Sequence, residues 1–318
     1  RQMCIRDSYI RDLRITPDFD NGHVKIRMRT ECPDNRYGTG NASYDVQPDS
    51  DKTSSDSCED AKGSVHASAL CRIYPPVYLD ADGVTDELCQ QPITEAFLKP
   101  GKEISIPVPA KYQKHWSPEK PWLYPVSIEY GEDRVLTYFA LRKCDVQMAE
   151  DRYPRFFLNH EPYFQSGVLD QGYWPDGLYT APSDEALIYD IRAMKDLGFN
   201  MLRKHGKIEA DRWYFHCDRM GMLVWQDMPN GGSSYQHWFV TYLATLLNWM
   251  RIPVKDIHAK LLSRTDEDGR QEYVDDIRGM IRALYNHPSI VTWIPFNEGW
   301  GQFSTKQVTD MIHKLDSS

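Results

Sequence analysis

The chain has 318 residues, which is enough for two domains that each bury a core. Its hydrophobic fraction of 41% and its charged fraction of 26% are those of an ordinary soluble globular protein. The net charge of -9 argues against nucleic acid or an anionic membrane surface as the principal partner. No apolar run reaches the roughly 18 residues that a membrane span needs.

Seven scattered cysteines include no C-x-x-C pair, which argues against both a disulfide framework and a zinc site. We expect a reducing, cytoplasmic location and no cofactor. A periplasmic or secreted location stays open because the sequence begins at Arg1 rather than at Met. Both ends are expected to be cut from a longer chain, and the first eight residues are not expected to belong to the fold. Assembly of the chain into a homo-oligomer is also left open by the sequence.

The first half of the chain has the period-two pattern of half-buried antiparallel strands. Val24, Ile26 and Met28 alternate with charged residues, for example. Similar stretches are expected at 65–73, 103–108, 124–130 and 135–141. They predict an immunoglobulin-like β-sandwich over residues 9–148. Residues 33–63 are rich in Asp, Ser, Gly and Asn and are predicted to form a long mobile surface loop.

The pattern changes near residue 150 to short apolar strands that alternate with amphipathic helices. Strands are expected at 163–168, 199–203, 222–225 and 290–294. Helices are expected from Ser183 to Gly198, at 210–220, at 272–285 and from about Thr305. Four such βα units predict the first half of a (β/α)8 barrel over residues 149–318. An open doubly wound sheet is the alternative, but no G-x-G-x-x-G follows any strand.

In a βα barrel the active site lies at the C-terminal ends of the strands. The predicted strand ends and the loop after the first strand carry these candidate residues: Trp174, Arg203, His205, Asp227, Asn297, Glu298 and Trp300. Glu298 is the strongest candidate, because Trp293, Phe296 and Trp300 flank it. Partial desolvation by these rings would raise the pKa of the carboxyl toward the range of a general acid.

Several stretches resemble glycoside hydrolase family 2, the family of β-galactosidases, β-glucuronidases and β-mannosidases, from about Tyr9 to the end. The motifs are Trp122–Tyr124, Phe199–Arg203, Cys217–Trp225, and Asn286–Trp293 leading to Asn297-Glu298. The resemblance implies an immunoglobulin-like domain before a catalytic barrel. It also implies a retaining hydrolase in which Glu298 is the acid/base and Asn297 its sugar-binding neighbour.

The same resemblance gives two further residues their roles: Arg203 would order the acidic residues, and Asp227 would contact sugar hydroxyls. His205, Trp174 and Trp300 are further candidates for contact with the substrate. For His205 a structural role is the alternative. For Arg203 a structural ion pair is an equal alternative, and for Trp174 a buried loop anchor is one. In this family the nucleophile is a glutamate after the seventh strand, so we expect the 318 residues alone to be inactive. The stretch after Asp227 lacks the His of some family magnesium sites, so no metal is expected.

The expected activity is exo-acting hydrolysis of terminal β-linked sugars from oligosaccharides or other β-glycosides, with β-galactoside as the first substrate to test. One alternative is a non-catalytic carbohydrate-binding protein on a degenerate barrel, which would tolerate loss of Glu298. Another is an endo-acting barrel glycosidase, which the preceding sandwich disfavours.

Overall fold

The computed structural model describes residues 9–31, 68–79, 90–229, 231, 236–253, 255–257, 264–297 and 301–317. Contacts divide the chain into two compact units. The sandwich unit runs up to His115 and includes Trp122–Leu141, and the barrel unit is formed by Trp116–Pro121 and the chain from Arg142 onward. The predicted loop at 33–63 lies outside the described residues, as do Glu298 and Trp300.

The described part of the sandwich unit consists of antiparallel strands in two sheets. The strands are β1 (Tyr9–Asp18), β2 (His23–Glu31), β3 (Ala69–Ile73), β4 (Thr94–Leu98), β5 (Glu103–Pro107), β6 (Tyr124–Tyr130) and β7 (Asp133–Phe139). One sheet has the order β1-β2-β5 and the other the order β4-β3-β6-β7. A single 3₁₀ turn, Ala110–Tyr112, follows β5.

The two sheets share one hydrophobic core. Val24, Ile26 and Met28 of β2 are fully buried, which confirms the predicted alternation. They join a cluster that includes Cys71 of β3 and Val126 of β6 in the other sheet. Two antiparallel sheets that enclose one core form a β-sandwich. Its immunoglobulin-like character stays a prediction.

The barrel unit contains a small antiparallel sheet and a parallel one. Its strands are β8 (Cys144–Met148), β9 (Pro154–Leu158), β10 (Glu161–Pro162), β11 (Gly167–Asp170), β12 (Met201–Lys204), β13 (Leu223–Asp227) and β14 (Ile290–Ile294). The antiparallel sheet has the order β10-β9-β8. The other four strands are all parallel and lie in chain order, β11-β12-β13-β14. Sequential parallel order is that of a (β/α)8 barrel, so the structure shows a partial barrel.

Helices connect the parallel strands. They are α1 (Asp184–Asp196), α2 (Asp211–Met220), α3 (Ala244–Trp249), α4 (Glu267–Leu284) and α5 (Thr305–Leu315), with a π-helical turn at Phe239–Leu243 before α3. Leu187 and Ile191 of α1 and Ile277 of α4 pack in one core with Val224 of β13 and Ile290 of β14. No helix in the described ranges is long and apolar enough to cross a membrane.

Local capping explains where two helices start or stop. The hydroxyl of Ser183 accepts a hydrogen bond from the backbone N–H of Ala186 at 3.3 Å, which confirms the predicted N-cap of α1. Gly221 follows α2 with φ of +71°. This left-handed conformation favours glycine and confirms the predicted end of that helix.

In two elements of the barrel unit the predicted start differs from the observed one by four or five residues. The first parallel strand is Gly167–Asp170 rather than 163–168. The apolar residues Tyr163 and Phe164 lie before the strand, and Phe164 is exposed instead of packing in the core. The helix expected at 272–285 begins five residues earlier, at Glu267. Its N-cap is Asp266, whose carboxylate accepts from the backbone N–H of Gly269 at 2.9 Å.

His287, in the Asn-His-Pro-Ser motif, joins the start of β14 to α2. Its Nδ1 lies 2.7 Å from a carboxylate oxygen of Asp218, and its Nε2 lies 2.9 Å from Asp211. Asp218 also accepts from the backbone N–H of Ser289 at 2.8 Å. The motif therefore holds strand and helix together from inside the barrel unit.

Candidate active site

Arg203 and Asp227 form an ion pair across neighbouring parallel strands. The Arg203 Nε lies 3.0 Å and 3.1 Å from the two Asp227 oxygens, and an Nη lies 2.8 Å from Oδ2. The Asp227 side chain is 3% exposed and that of Arg203 is 24% exposed. A planar guanidinium that donates hydrogen bonds to a carboxylate from two of its nitrogens fixes the position of both groups.

His205 completes this cluster. Its Nδ1 lies 3.0 Å from the amide Nε2 of Gln171. With the amide as donor, Nδ1 accepts and the ring proton is on Nε2. That nitrogen lies 3.9 Å from Asp227 Oδ2, beyond direct hydrogen-bond range. Three of the predicted residues, Arg203, His205 and Asp227, are thus brought together at the C-terminal edge of β12 and β13.

Asn297 lies at the same edge of the sheet, three residues after Ile294, which pairs with Asp227 in the strand register. Its Oδ1 is shielded from solvent and has no hydrogen-bond partner in the part of the chain that the structure describes. A buried acceptor left unpaired costs about 1–3 kcal/mol. A donor group of a ligand, such as a hydroxyl, would remove that cost.

The aromatic residues near Asn297 lie in the core between sheet and helices. The indole N–H of Trp293 donates to Asp316 at 2.8 Å. Phe296 stacks on Tyr273 of α4, with ring centroids 5.6 Å apart. These two rings thus have a packing role that the sequence analysis did not foresee. The surroundings of Glu298, and the roles of Glu298 and Trp300, stay predictions because both residues lie outside the described ranges.

Trp174 lies in the loop between β11 and α1, where its ring packs against the core of the barrel unit. Its Nε1 is buried and has no partner among the described residues. The packing favours the loop-anchor interpretation of Trp174 over that of an open stacking surface.

Beside the predicted cluster lies a buried group of charges that the sequence analysis did not identify. The Nζ of Lys204 lies 2.8 Å from Asp170 and 3.2 Å from Glu209, and 4.0 Å above the ring of Trp213. The Nζ of Lys207 lies 2.8 Å from Glu209. Two cations thus face two carboxylates, which compensates the desolvation of each charge.

The signal for this group was present in the sequence but ambiguous. Lys204 lies two positions after Leu202, so both side chains point to the same, helix-covered side of the parallel strand. Strands of a barrel are buried on both faces. A lysine at such a position must therefore be paired, and Glu209 follows five residues later.

Both halves of the chain are similar to a known protein family. The family profile described as "Glycosyl hydrolases family 2, TIM barrel domain" matches residues 154–318, and the one described as "Glycosyl hydrolases family 2" matches residues 8–142. The chain belongs to glycosyl hydrolase family 2. The predicted family resemblance is thereby confirmed.

Individual relatives are distant. The chain is 25% identical over 206 residues to a β-galactosidase of Leuconostoc mesenteroides, covering 63% of this chain and 17% of that protein. It is 25% identical over 222 residues to a β-galactosidase of Thermoanaerobacter pseudethanolicus, covering 68% and 26%. The apo structure of Bacteroides uniformis β-glucuronidase 3 matches with a TM-score of 0.62 at 16% identity, covering 98% of this chain and 32% of that one. The chain thus spans about a quarter or less of these two β-galactosidases.

Metal ligation has no support in the described part of the chain. Among those residues no group of three or more His, Cys, Asp or Glu side chains is arranged to hold a metal ion. The predicted absence of a required metal stays a prediction.

Proposed function

We propose that the chain carries the acid/base and sugar-binding part of a retaining β-glycosidase. Membership in glycosyl hydrolase family 2 supports glycoside hydrolysis as the reaction class. The observation that carries the proposal is the buried Oδ1 of Asn297, which has no hydrogen-bond partner among the described residues. It lies next in sequence to Glu298, at the sheet edge that also holds the Arg203–Asp227 pair.

In this proposal Asn297 accepts a hydrogen bond from a hydroxyl of the sugar that is cleaved. Asp227 accepts from a second hydroxyl, and the guanidinium of Arg203 keeps its carboxylate from rotating. The Nε2–H of His205 is aimed toward the same region, 3.9 Å from Asp227, and can donate to the substrate. Polar groups fixed before binding lose little conformational entropy when the sugar arrives.

Glu298 supplies the proton. As the glycosidic C–O bond breaks, the carboxylic acid protonates the leaving oxygen while a carboxylate on the opposite face of the sugar attacks the anomeric carbon. A glycosyl ester forms with the second carboxylate. Glu298, now ionised, removes a proton from water, and the water oxygen displaces the ester to release the sugar. Retaining enzymes hold the two carboxyl groups about 5–5.5 Å apart.

For the substrate we propose a terminal β-linked sugar removed by exo-acting cleavage, with β-galactosides first. The two relatives described above are named β-galactosidases, whereas the similar structure is a β-glucuronidase. A β-glucuronide is therefore the second substrate to test.

The test compares wild-type enzyme with Glu298→Gln, both made from the complete gene, on two β-galactosides. With a poor leaving group, such as lactose, we expect kcat to fall by about 10²–10⁴, since protonation of the leaving oxygen is lost. With dinitrophenyl β-galactoside, whose leaving group needs no proton, the glycosylation step should persist, and added azide should restore turnover as the glycosyl azide.

The matched control is Glu272→Gln, an exposed glutamate on α4. Its kinetics should equal those of the wild type on both substrates. Normal lactose hydrolysis by Glu298→Gln would eliminate Glu298 as the acid. Sugar binding by a wild-type enzyme that hydrolyses neither substrate would favour the non-catalytic alternative.

A further inference from the structure

The loop between β11 and α1 is an ordered hairpin. The backbone N–H of Trp174 donates to the carbonyl of Leu178 at 2.9 Å, and that of Leu178 donates to Trp174 at 3.0 Å. Thr180 N–H donates to the carbonyl of Gly177 at 2.9 Å. Reciprocal backbone bonds of this kind fix the loop in one conformation.

Lys207 fastens the base of this hairpin. Its Nζ, on a side chain that is 5% exposed, donates to the carbonyls of Gly172 at 2.8 Å and of Tyr179 at 2.7 Å. Glu209, 2.8 Å away, pairs with the same ammonium. One buried cation therefore holds both sides of the hairpin.

Gly172 lets the hairpin come this close to the buried charges. Its φ is +61°, and a Cβ at this position would lie 2.6 Å from a Glu209 oxygen and 3.2 Å from the Lys207 nitrogen. A side chain here would force either the hairpin or the charged ends of these buried side chains to move. The close approach is thus built into the sequence.

The hairpin exposes two tyrosines side by side. Tyr173 is 57% exposed and Tyr179 is 55% exposed, with ring centroids 4.9 Å apart and hydroxyl oxygens 2.7 Å apart. The hydrogen bond with Tyr179 also raises the pKa of Tyr173. Aromatic rings held outward on a rigid loop are a typical surface for binding.

The tyrosine pair is connected to the candidate active site. Gln171, at the base of the hairpin, lies 3.0 Å from His205 through its amide nitrogen. His205 lies 3.9 Å from Asp227. The hairpin follows the C-terminal end of β11, so it stands at the same edge of the sheet as these residues.

We propose that Tyr173 and Tyr179 form a platform for a sugar ring of the glycoside, and that Lys207 is a positioning residue that holds this platform in place. The proposal rests on the proposed function and names a contact of the same site. The apolar C–H face of a pyranose packs on the rings, while the paired hydroxyls exchange hydrogen bonds with sugar hydroxyls. Because the platform is ordered before binding, little entropy is lost on association.

Binding is measured without turnover, on the Glu298→Gln protein, by isothermal titration with lactose and by saturation-transfer NMR with methyl β-galactoside and methyl β-glucuronide. Tyr173→Ala and Tyr179→Ala should each weaken binding at least about tenfold, consistent with about 1.4 kcal/mol or more per ring. Tyr173→Phe keeps the ring and should retain most of the affinity. Tyr189→Ala, an exposed tyrosine on α1, is the matched control and should bind normally.

Lys207→Met tests positioning separately. We expect faster amide exchange at residues 172–179 and new chymotrypsin cleavage after Tyr173 or Tyr179, together with the tenfold loss of binding. Tyr173→Ala should weaken binding without faster amide exchange and without new chymotrypsin cleavage in the loop. If Lys207→Met does not fold, the tyrosine variants still show whether the two rings bind sugar.

The proposal is overturned if both alanine variants bind like the wild type, if no sugar of the set binds, or if exchange at 172–179 is unchanged in a folded Lys207→Met. Hydrolysis by wild-type enzyme together with unaffected tyrosine variants would reject the platform alone. Binding that depends on the tyrosines, in a protein that never hydrolyses glycosides, would reject the proposed reaction and keep the platform.

Discussion

The Arg203–Asp227 pair is the residue-scale feature on which the candidate site depends. Asp227 is almost fully buried, and Arg203 contacts both of its oxygens. Removing one partner of a buried pair leaves a desolvated charge, which costs more than losing the attraction itself. The pair is therefore expected to stabilise the barrel unit as well as to orient a substrate contact.

Arg203→Met should destabilise the barrel unit by about 3 kcal/mol, because the Asp227 carboxylate stays buried without its cation. The double variant Arg203→Met/Asp227→Leu should be more stable than Arg203→Met alone. Thermal unfolding followed by tryptophan fluorescence measures both.

Arg278→Met is the control for this comparison. Arg278 pairs with Asp275 on the surface of α4, where the two side chains are 40% and 44% exposed. Exposed pairs contribute about 1 kcal/mol or less. A loss in Arg203→Met no larger than in Arg278→Met would contradict the inferred role of the buried pair.

The candidate site was predicted in part because parallel strands end at a common edge. That rule was enough to select Arg203, His205 and Asp227. It did not reveal the pairing of Lys204 and Lys207 with Glu209, since it does not distinguish a charged residue that is enclosed by a loop from one that faces the active site. Only the three-dimensional packing of the β11–α1 loop shows that these charges are enclosed.

At the scale of elements, helices and strands with strong local sequence signals were predicted correctly, and those with weak signals were missed. α1 has a serine cap and apolar residues at helical spacing, and the predicted strand Ile290–Ile294 matches β14. β4 was missed because Phe97 is 67% exposed, between the partly exposed Ala96 and the buried Leu98, so apolar and polar residues do not alternate along this strand. β9 was missed because its five residues begin with a proline and show no alternation.

The β11–α1 loop offers a test of close packing against backbone strain. Gly172 and Gly206 have similar φ values, +61° and +67°, but a Cβ would meet Glu209 and Lys204 at Gly172 and nothing within 4 Å at Gly206. Gly206→Ala should cost about 1–2 kcal/mol from the left-handed backbone alone. Gly172→Ala should cost more, since the new methyl must also displace either the loop or the buried charged groups that it meets.

Thermal unfolding of the two alanine variants gives the comparison. Hydrogen exchange at residues 172–179 should rise in Gly172→Ala and stay unchanged in Gly206→Ala. Equal stability losses in the two variants would mean that the close approach at Gly172 is absorbed without strain.

For the whole molecule, the family match to both halves of the chain agrees with the division into two units. Each unit has its own core, so each can respond separately to solution conditions. Apart from Trp122, every tryptophan of the sequence falls in the range of the barrel unit. Tryptophan fluorescence therefore reports chiefly on that unit.

Two buried histidines set the expected pH dependence of the barrel unit. Burial alone would lower the pKa of His287, but the charge of Asp218 and the hydrogen bonds to Asp211 and Asp218 outweigh it and raise the pKa from 6.5 to about 9. Burial lowers the pKa of His216, against the opposing hydrogen bond to Asp184. The charged form is thus favoured at His287 and disfavoured at His216.

The two shifts act on opposite sides of pH 6.5, the ordinary histidine value. The raised pKa of His287 gives stability that is complete below pH 6.5 and is lost as the pH rises to about 9. The lowered pKa of His216 gives stability that is present above its ordinary pKa and is lost as the pH falls through the folded value. Asp211 is largely exposed, so most of the His287 effect comes from Asp218.

We therefore expect the unfolding temperature of the barrel unit to be highest near pH 6.5 and to fall toward pH 9. The raised pKa of His287 corresponds to about 3 kcal/mol of folding stability, or a fall in unfolding temperature on the order of 10 °C. His287→Gln should be less stable at pH 6 and should lose the alkaline fall. His216→Gln should keep the fall in unfolding temperature toward pH 9 and should weaken the fall in unfolding temperature at acid pH. An alkaline fall of the same size in His287→Gln and wild type would show that the Asp218–His287 pair does not carry it.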